Sequence, residues 1–564
     1  MLSAYFDLSN PMKSLNAIDQ ELRRPFVNFI DSLSKQHIEN MDWWCSELAA
    51  RSTLARSLYA DCLKLFQIKN RITADKNFHI TLNDKALYRT LLKNLETHHL
   101  SQVHYKKKLI SSFKKIPLHW LRYGNLIYQI SKRFLAAKFI PNPKPLPNQP
   151  LTLIDMFILS HSFDDQNQYK DRYYGRLKEF LTPEEKKLFF YVPTFQTSPH
   201  QTISIIKKCR QSPDNFLLPE DFLKLSDLFY IWTYPFRAWK FFPTKKYTLL
   251  DLDISSLVIK HWWQGLTYGS TYEGLLKYRF VKRLKERNIP IRLVIDWFEN
   301  QSIDKGQNAG FRKFYPNTLI IGYQGFIIPD NFSYISPSRI EAQAQVIPQE
   351  ISVCGEALVS PRKEFSPMLQ VTIGPAFRFE HIFSGAPCIV KKTNIKVIFI
   401  GLPITTSACI QILQLLGSLK TEMFPYPVKF IIKSHPTVSN AKTLIKKTLP
   451  QDFKYFIEPR NTSECAAEVD LLISNSSSLV CEFLALGIPV IITTSSEEVT
   501  QNPIPPAVNT KIWQLANSPE TLLDAIKKLL TVDKNILSEQ GTKTKEICFS
   551  SVDSSSARSF LNLA

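Results

Sequence analysis

Short unbroken runs of Ile, Val and Leu, each followed by a segment of helical period, predict an α/β chain. It is expected to hold two Rossmann-like domains facing a cleft, with a helical N-terminal extension. Three observations lead there. At 564 residues the chain is too long for one ordinary domain, and 44% hydrophobic with 12% aromatic content supplies packed cores and excludes global disorder. The strand-like runs are continuous rather than alternating, as in sheets covered by helices on both faces. A hydroxyl-rich turn, Ser474-Asn475-Ser476-Ser477-Ser478, separates one such run from a helix, at the edge where open α/β sheets bind ligands.

Residues 1–70 read as the helical segment. Trp44 and Leu48, then Leu54, Leu58, Cys62 and Leu65-Phe66, recur at a period of about 3.6. Residues 71–385 are expected to form the first Rossmann-like domain, with helical insertions and the acceptor side of the site. Its strands are predicted over 151–159, 189–192, 247–252, 291–297, 319–323 and 369–373. Between them 271–287 is the clearest helix, closed by Asn288 and Pro290. The Pro-rich stretch 141–150 reads as a loop within that domain. The boundary falls between Glu380 and Asn394, where Ser384-Gly385-Ala386-Pro387 breaks the pattern.

The second domain, 386–564, alternates regularly and is expected to hold the donor. Strands are predicted over 397–400, 430–433, 455–457, 471–474 and 490–493, with helices over 407–416, 441–448, 465–468 and 479–486. Two such domains with a crevice between them form the GT-B architecture.

The serine turn follows the apolar run Asp470-Leu471-Leu472-Ile473 and opens a helix. Free backbone N–H groups and the helix dipole favour a phosphate there. Upstream, another predicted strand runs into Ser434-His435-Pro436-Thr437, so two strands of one sheet bring His435 and the serines to the same edge. Taken alone, His435 reads as a strand-end residue bonded to a carbonyl, and Ser477 or Ser478 as a helix cap. Their pairing favours phosphate binding, and capping uses the same N–H groups. Glu482, one turn into the helix, is placed either to reach a ribose hydroxyl or to face solvent.

Nine cysteines without a C-x-x-C pair argue for a reducing compartment, and against a disulfide framework or a structural zinc site. No basic n-region with a long apolar core opens the chain, and no run reaches the ~20 apolar residues that span a bilayer. A cytoplasmic protein is therefore expected. The net charge of +20 is uneven: from Lys106 to Lys144 there are many Lys and Arg and no Asp or Glu, with Trp120, Leu121, Tyr123, Leu126, Ile127, Ile130 and Phe134-Leu135 interleaved. Such a segment suits an anionic membrane surface, which would make the protein peripheral on the inner face of the membrane. It reads equally as a core helix with a solvated basic face. No motif for nucleic acid is present.

Lys433-Ser434-His435-Pro436 and the serine turn resemble the HP and SS motifs of bacterial GT-B sialyltransferases and related capsule transferases; CDP-glycerol and Kdo transferases carry similar pairs. In those families the His and serines hold the phosphate of a cytidine nucleotide. The resemblance thus implies a nucleotide-sugar donor, CMP-linked, bound by His435, Pro436, Ser474, Asn475, Ser476, Ser477 and Ser478, to which its place in the helix adds Glu482 as a donor-binding candidate. A longer stretch resembles bacterial surface carbohydrate biosynthesis proteins, through Trp43-Trp44, Asp171-Arg172-Tyr173-Tyr174, Asp296-Trp297-Phe298-Glu299-Asn300-Gln301 and Ile321-Gly322-Tyr323-Gln324. This implies a glycan or lipid-linked acceptor.

A transferase of this type needs a base for the acceptor hydroxyl, and a carboxylate with a raised pKa serves. Glu299 follows strand 291–297 on the cleft side and is the expected base. Asp296 competes, although apolar neighbours suit it to a buried, hydrogen-bonded place. Gly265–Ser270 reads as a loop approaching the substrate or as a helix-capping turn. Arg378 reads as a neutraliser of a donor or acceptor carboxylate or as part of a surface or interdomain salt bridge. Asp251-Leu252-Asp253 matches a metal-binding D-x-D, but the pattern is frequent by chance, so neither a metal nor another cofactor is expected. The expected function is glycosyl transfer from a nucleotide-activated donor to a surface polysaccharide or lipid-linked acceptor. A polyol-phosphate transferase, a nucleotide-sugar 2-epimerase and a non-catalytic scaffold protein of glycan assembly are the alternatives.

Overall fold

The computed structural model describes residues 14–54, 56–106, 112–142, 144–164, 166–383, 394–435, 438, 440–494 and 498–563. Its two large sheets are parallel throughout, and together they form the two-unit α/β fold expected of a GT-B chain. The first sheet holds β1 (Leu151–Ile158), β2 (Phe189–Phe195), β3 (Ile291–Trp297), β4 (Leu319–Gln324), β5 (Glu350–Val353) and β6 (Gln370–Ile373), in the order β2-β1-β3-β4-β5-β6. The second holds β7 (Lys396–Leu402), β8 (Val428–Ser434), β9 (Phe456–Ile457), β10 (Leu471–Ser474), β11 (Val490–Thr493) and β12 (Trp513–Ala516), in the order β9-β8-β7-β10-β11-β12. Every residue of β1, β10 and β11 is buried, because helices cover both faces.

Strand order reverses between β1 and β3 and again between β7 and β10. At such a switch point the connections leave on opposite faces of the sheet and open a crevice at the carboxyl ends of the strands. Those two places position the candidate site.

The predicted strand over 247–252 is corrected. It forms an antiparallel hairpin, Thr248–Leu249 with Leu252–Asp253, outside both large sheets. Leu250 and Asp251 turn it with φ of 47° and 67°, so the D-x-D aspartates lie in and beside a tight turn. Strands β5 and β12 escaped prediction: each is four residues long, and polar residues interrupt its apolar ones.

Seven helices matter below: α1 (Lys85–Asn94), α2 (Ser112–Phe139), α3 (Ser255–Gly265), α4 (Gly269–Glu286), α5 (Ser302–Phe314), α6 (Leu479–Ala485) and α7 (Ser554–Phe560). No helix among the described residues is long and apolar enough to cross a membrane. The N-terminal segment is helical over Leu15–Ser34, Met41–Trp44 and Leu58–Ala74, and its Trp43 and Trp44 are buried in the core. At the other end the chain returns to the first sheet. The Phe560 ring of α7 lies 5.2 Å from that of Tyr323 in β4, and Arg558 pairs with Glu185 at 3.1 Å.

Helices α4 and α5 approach backbone to backbone. A Cβ on Gly306 would lie 2.0 Å from the Gly274 carbonyl oxygen, a position no side chain can share. Gly306→Ala is expected to lower stability by about 1–3 kcal/mol or more by forcing the helices apart. A melting temperature equal to wild type would show that the pair relaxes freely.

A buried charge cluster ties this helix pair to the N-terminal segment. Arg51 Nη2 and Lys305 Nζ each lie 2.6 Å from a carboxylate oxygen of Glu341, and all three side chains are almost wholly buried. The backbone N–H of Ser338 and the Asn300 amide donate to the same carboxylate at 2.7 and 3.2 Å. Burial alone would raise the Glu341 carboxyl, but Arg51 and Lys305 hold it down to about 2. Because Asn300 also donates to the Tyr334 carbonyl at 2.8 Å, the cluster anchors the turn that follows β3.

Candidate functional site

The second sheet contributes the end of β10 and the first turn of α6. The Ser474 hydroxyl donates to the Gly401 carbonyl at 2.8 Å and is fully buried, so it joins β10 to β7 across the switch point. Beyond it the chain folds on itself. Asn475 Oδ1 accepts from the Ser476 N–H at 2.6 Å, its carbonyl accepts from the Ser477 N–H at 2.9 Å, and Ser477 Oγ accepts from the Leu479 N–H at 3.3 Å. Ser478 takes the N-cap position of α6 and donates its hydroxyl to Glu482 at 3.3 Å. The other Glu482 oxygen lies 3.2 Å from His381 Nε2, which belongs to the segment after β6. Glu482 therefore bridges the two units. His435 follows β8 and is half-buried. Pro436 lies outside the described residues.

The first sheet contributes the turn after β3. Glu299 is half-buried: one carboxylate oxygen accepts from the Trp297 indole N–H at 3.1 Å and the other from the Gln301 amide at 2.7 Å. The N–H groups of Glu299 and Gln301 both donate to Asp304 Oδ2, at 3.0 and 2.8 Å, which folds the turn over the start of α5. Asp296 points the other way. It is wholly buried and accepts from the side-chain amides of Gln307 and Asn308 at 3.2 and 2.7 Å. Gln307 continues through the buried Lys277 to Asp155. Burial, aided by repulsion from Asp155, drives the Asp296 carboxyl well above the ordinary range.

The loop after β1 adds two groups. Asp171 accepts from the N–H groups of Tyr173 and Tyr174, both at 2.9 Å, and from the Tyr191 hydroxyl at 2.8 Å, so the loop is held from inside. That leaves Arg172 exposed at its tip, 2.8 Å from His161 Nε2. The Tyr173 ring meets the Trp297 ring edge-on at 4.6 Å. Arg378, after β6, is exposed and has no hydrogen-bonded partner among the described residues.

Electrostatics brings the two edges together. Burial lowers the His435 imidazole pKa, and the positive charges of Arg378 and Arg172 lower it further. Burial raises the Glu299 carboxyl pKa, against its two hydrogen bonds and Arg378. Arg378 is thus a common neighbour of His435 on the second sheet and Glu299 on the first. The arrangement offers two exposed guanidinium groups to an anion, with a partly shielded carboxylate beside them. Arg172, Tyr173 and the Trp297 indole were not singled out from sequence, although all three lie in the stretches quoted for likeness. Their signal was the Asp171-Arg172-Tyr173-Tyr174 run and a Trp two residues before the acid.

Among the described residues no group of His, Cys, Asp or Glu is arranged to hold a metal ion. Asp253 of the D-x-D accepts from the Ser255 N–H at 2.9 Å and lies 3.5 Å from Lys93. The Gly265–Ser270 segment ends α3 and starts α4 rather than forming an open loop.

No family model and no curated protein matches the chain. Several solved structures are similar at low identity. A UDP co-structure of S. aureus MnaA is 12% identical, covers 73% of this chain and 98% of its own, and superposes with a TM-score of 0.42. A UDP-GlcNAc 2-epimerase from Neisseria meningitidis bound to UDP-GlcNAc is 12% identical over 73% of this chain and 99% of its own, with a TM-score of 0.40. The wall teichoic acid polymerase TagF, soaked with CDPG, is 11% identical over 81% of this chain and 97% of its own, with a TM-score of 0.39.

Proposed function

We propose that the chain is a glycosyltransferase that moves a sugar from a nucleotide-activated, CMP-linked donor to a surface polysaccharide or lipid-linked acceptor. The observation that supports this most directly is Arg378, a common neighbour of His435 after β8 and of Glu299 after β3, with Arg172 a second cation beside His435. In this reading the donor phosphate rests on His435 and on the Asn475, Ser476, Ser477 and Ser478 turn, since the first N–H groups of α6 already bond to Ser477 and Ser478. Ser474 positions that turn from within the sheet. Arg172 and Arg378 neutralise the charge that grows on the departing phosphate. Glu299 takes the proton from the acceptor hydroxyl as that oxygen attacks the sugar carbon and the bond to phosphate breaks. Asp296 has no exposed surface and acts as a positioning residue through α5. Glu482, paired with His381, aligns the two units instead of contacting a ribose.

The neutral form of His435 is favoured here, so it donates one N–H to the phosphate. His435→Ala should weaken donor affinity by about ten-fold or more, as expected for one charge-assisted hydrogen bond. Calorimetric titration with a panel of cytidine, uridine and guanosine nucleotides tests both the residue and the base. Unchanged affinity in a folded variant removes His435 from the site. Release of nucleoside monophosphate supports a CMP-linked donor, and release of diphosphate overturns that assignment.

A further inference from the structure

A cavity of about 880 Å³ opens among α1, α2 and α3, and none of its lining residues belongs to either switch point. Its walls include Trp120, Tyr123, Ile259, Trp263 and Leu266. Lys85 and Arg89 of α1 also line it; both are exposed and neither has a hydrogen-bond or ion-pair partner among the described residues. The carboxylate beside them is already used: Asp84 caps α1 through the Ala86 N–H at 2.9 Å and pairs with Lys260 at 2.5 Å. His119 Nε2 is buried without a partner, and burial with the nearby Arg122 lowers the pKa of this imidazole. The unpaired charge at the cavity is therefore positive.

Apolar surface continues outward from it. Trp120 is 54% exposed, Leu121 69%, Phe236 68%, Trp239 51% and Trp263 44%. The Trp239 ring lies 5.8 Å from that of Trp263, so the outer patch meets the cavity wall. Contiguous exposed aromatic surface is costly in water and marks a surface that is covered in use. Helix α2 explains how one segment carries two characters. Ile130, Phe134, Ala136 and Ala137 bury one face of its C-terminal half, with Leu135 and Phe139 exposed on the other, while Trp120, Leu121 and Arg122 face outward nearer its start.

We propose that this face docks on an anionic lipid bilayer and that the cavity takes one hydrocarbon chain of an anionic lipid, its head group resting at Lys85 and Arg89. Charge complementarity selects the occupant. The unpaired charge is positive, and the sequence from Lys106 to Lys144 contains no Asp or Glu, which suits an anionic leaflet. Tryptophan rings beside lysine and arginine are the side chains that settle at the boundary between head groups and hydrocarbon. The site is independent of the transferase reading, since it shares no residue with it.

The test uses the full chain with phosphatidylcholine vesicles, with and without phosphatidylglycerol, and with acyl chains brominated near the head group. The protein should sediment with the anionic vesicles only and be released by salt. Brominated anionic vesicles should quench tryptophan fluorescence, and less so in Trp120→Phe and Trp263→Phe, which preserve packing. Lys85→Glu with Arg89→Glu should weaken vesicle binding about ten-fold or more without lowering the melting temperature. Equal binding to neutral vesicles, quenching unchanged in both Phe variants, or binding unaffected by the double charge reversal overturns the proposal. So does full release by inorganic phosphate at constant ionic strength, which would mark a soluble-anion site.

Discussion

Glu299→Gln should slow turnover by about 10²–10⁴-fold while donor affinity stays close to wild type. The substitution keeps the size of the side chain and removes its capacity to accept a proton. The Trp297 indole and the Gln301 amide both donate to this carboxylate, so a glutamine must turn its own N–H₂ towards one of them. Because burial raises the Glu299 carboxyl, activity should be lost as pH falls through a midpoint above the ordinary glutamate range. In Glu299→Gln that acidic limb should disappear along with the rate. Asp296→Asn separates the two carboxylates: with Asp296 inside the Gln307 and Asn308 pair, the variant should act on stability more than on the pH profile. Single-turnover rates across pH decide the matter. Near-normal turnover in Glu299→Gln together with loss in Asp296→Asn would transfer the role to Asp296, and normal turnover in both would leave the reaction without this base.

Glu341→Gln carries the largest expected cost in stability, about 3–5 kcal/mol, since it leaves Arg51 and Lys305 buried together without their counter-charge. The pH dependence follows from the sign of the shift. The Glu341 carboxyl is held at about 2 in the folded chain and near its ordinary value when unfolded, so its contribution is full above the ordinary range and fades as pH falls towards about 2. Wild type should therefore lose stability on acidification through that window faster than Glu341→Gln does. Thermal unfolding of both proteins in a series of acidic buffers measures this. Parallel curves would mean that the cluster does not titrate with folding. The variant should also loosen the turn carrying Glu299, because Asn300 would lose part of its anchor.

The aromatic face around Trp120 shows how a sequence pattern splits on folding. The basic segment was open to two readings, membrane surface or core helix, because hydropathy along one strip does not say what packs against it. In the fold, Ile130, Phe134, Ala136 and Ala137 on one face of its C-terminal half are covered, whereas His119, Trp120 and Tyr123 border a cavity built with α1 and α3. Helix α3 lies far from it in sequence, so no local pattern could choose between the readings.

Sequence alone determined the α/β class and the place of most strands, because a buried parallel strand must be a short continuous apolar run and a helix must follow it. Leu471–Ser474 and Val490–Thr493 agree residue for residue with the runs that predicted them, and the serine turn lies where strand meets helix. The hairpin at Thr248–Asp253 and the short β5 and β12 were misread or missed: a few apolar residues specify burial, not which sheet receives them. Strand order was decided only by tertiary structure, and with it the reversal that places Ser474 beside Gly401 and Glu299 near the end of β1. The same holds for the functions of the polar groups. Ser474 turned inward to a carbonyl, Glu482 found His381 in the other unit, Arg378 came within reach of both His435 and Glu299, and Arg172 within reach of His435. Hydrophobic period is a local property written into neighbouring residues, whereas charge and hydrogen-bond partners are chosen by distance in space, which the chain sets only when the two sheets are assembled.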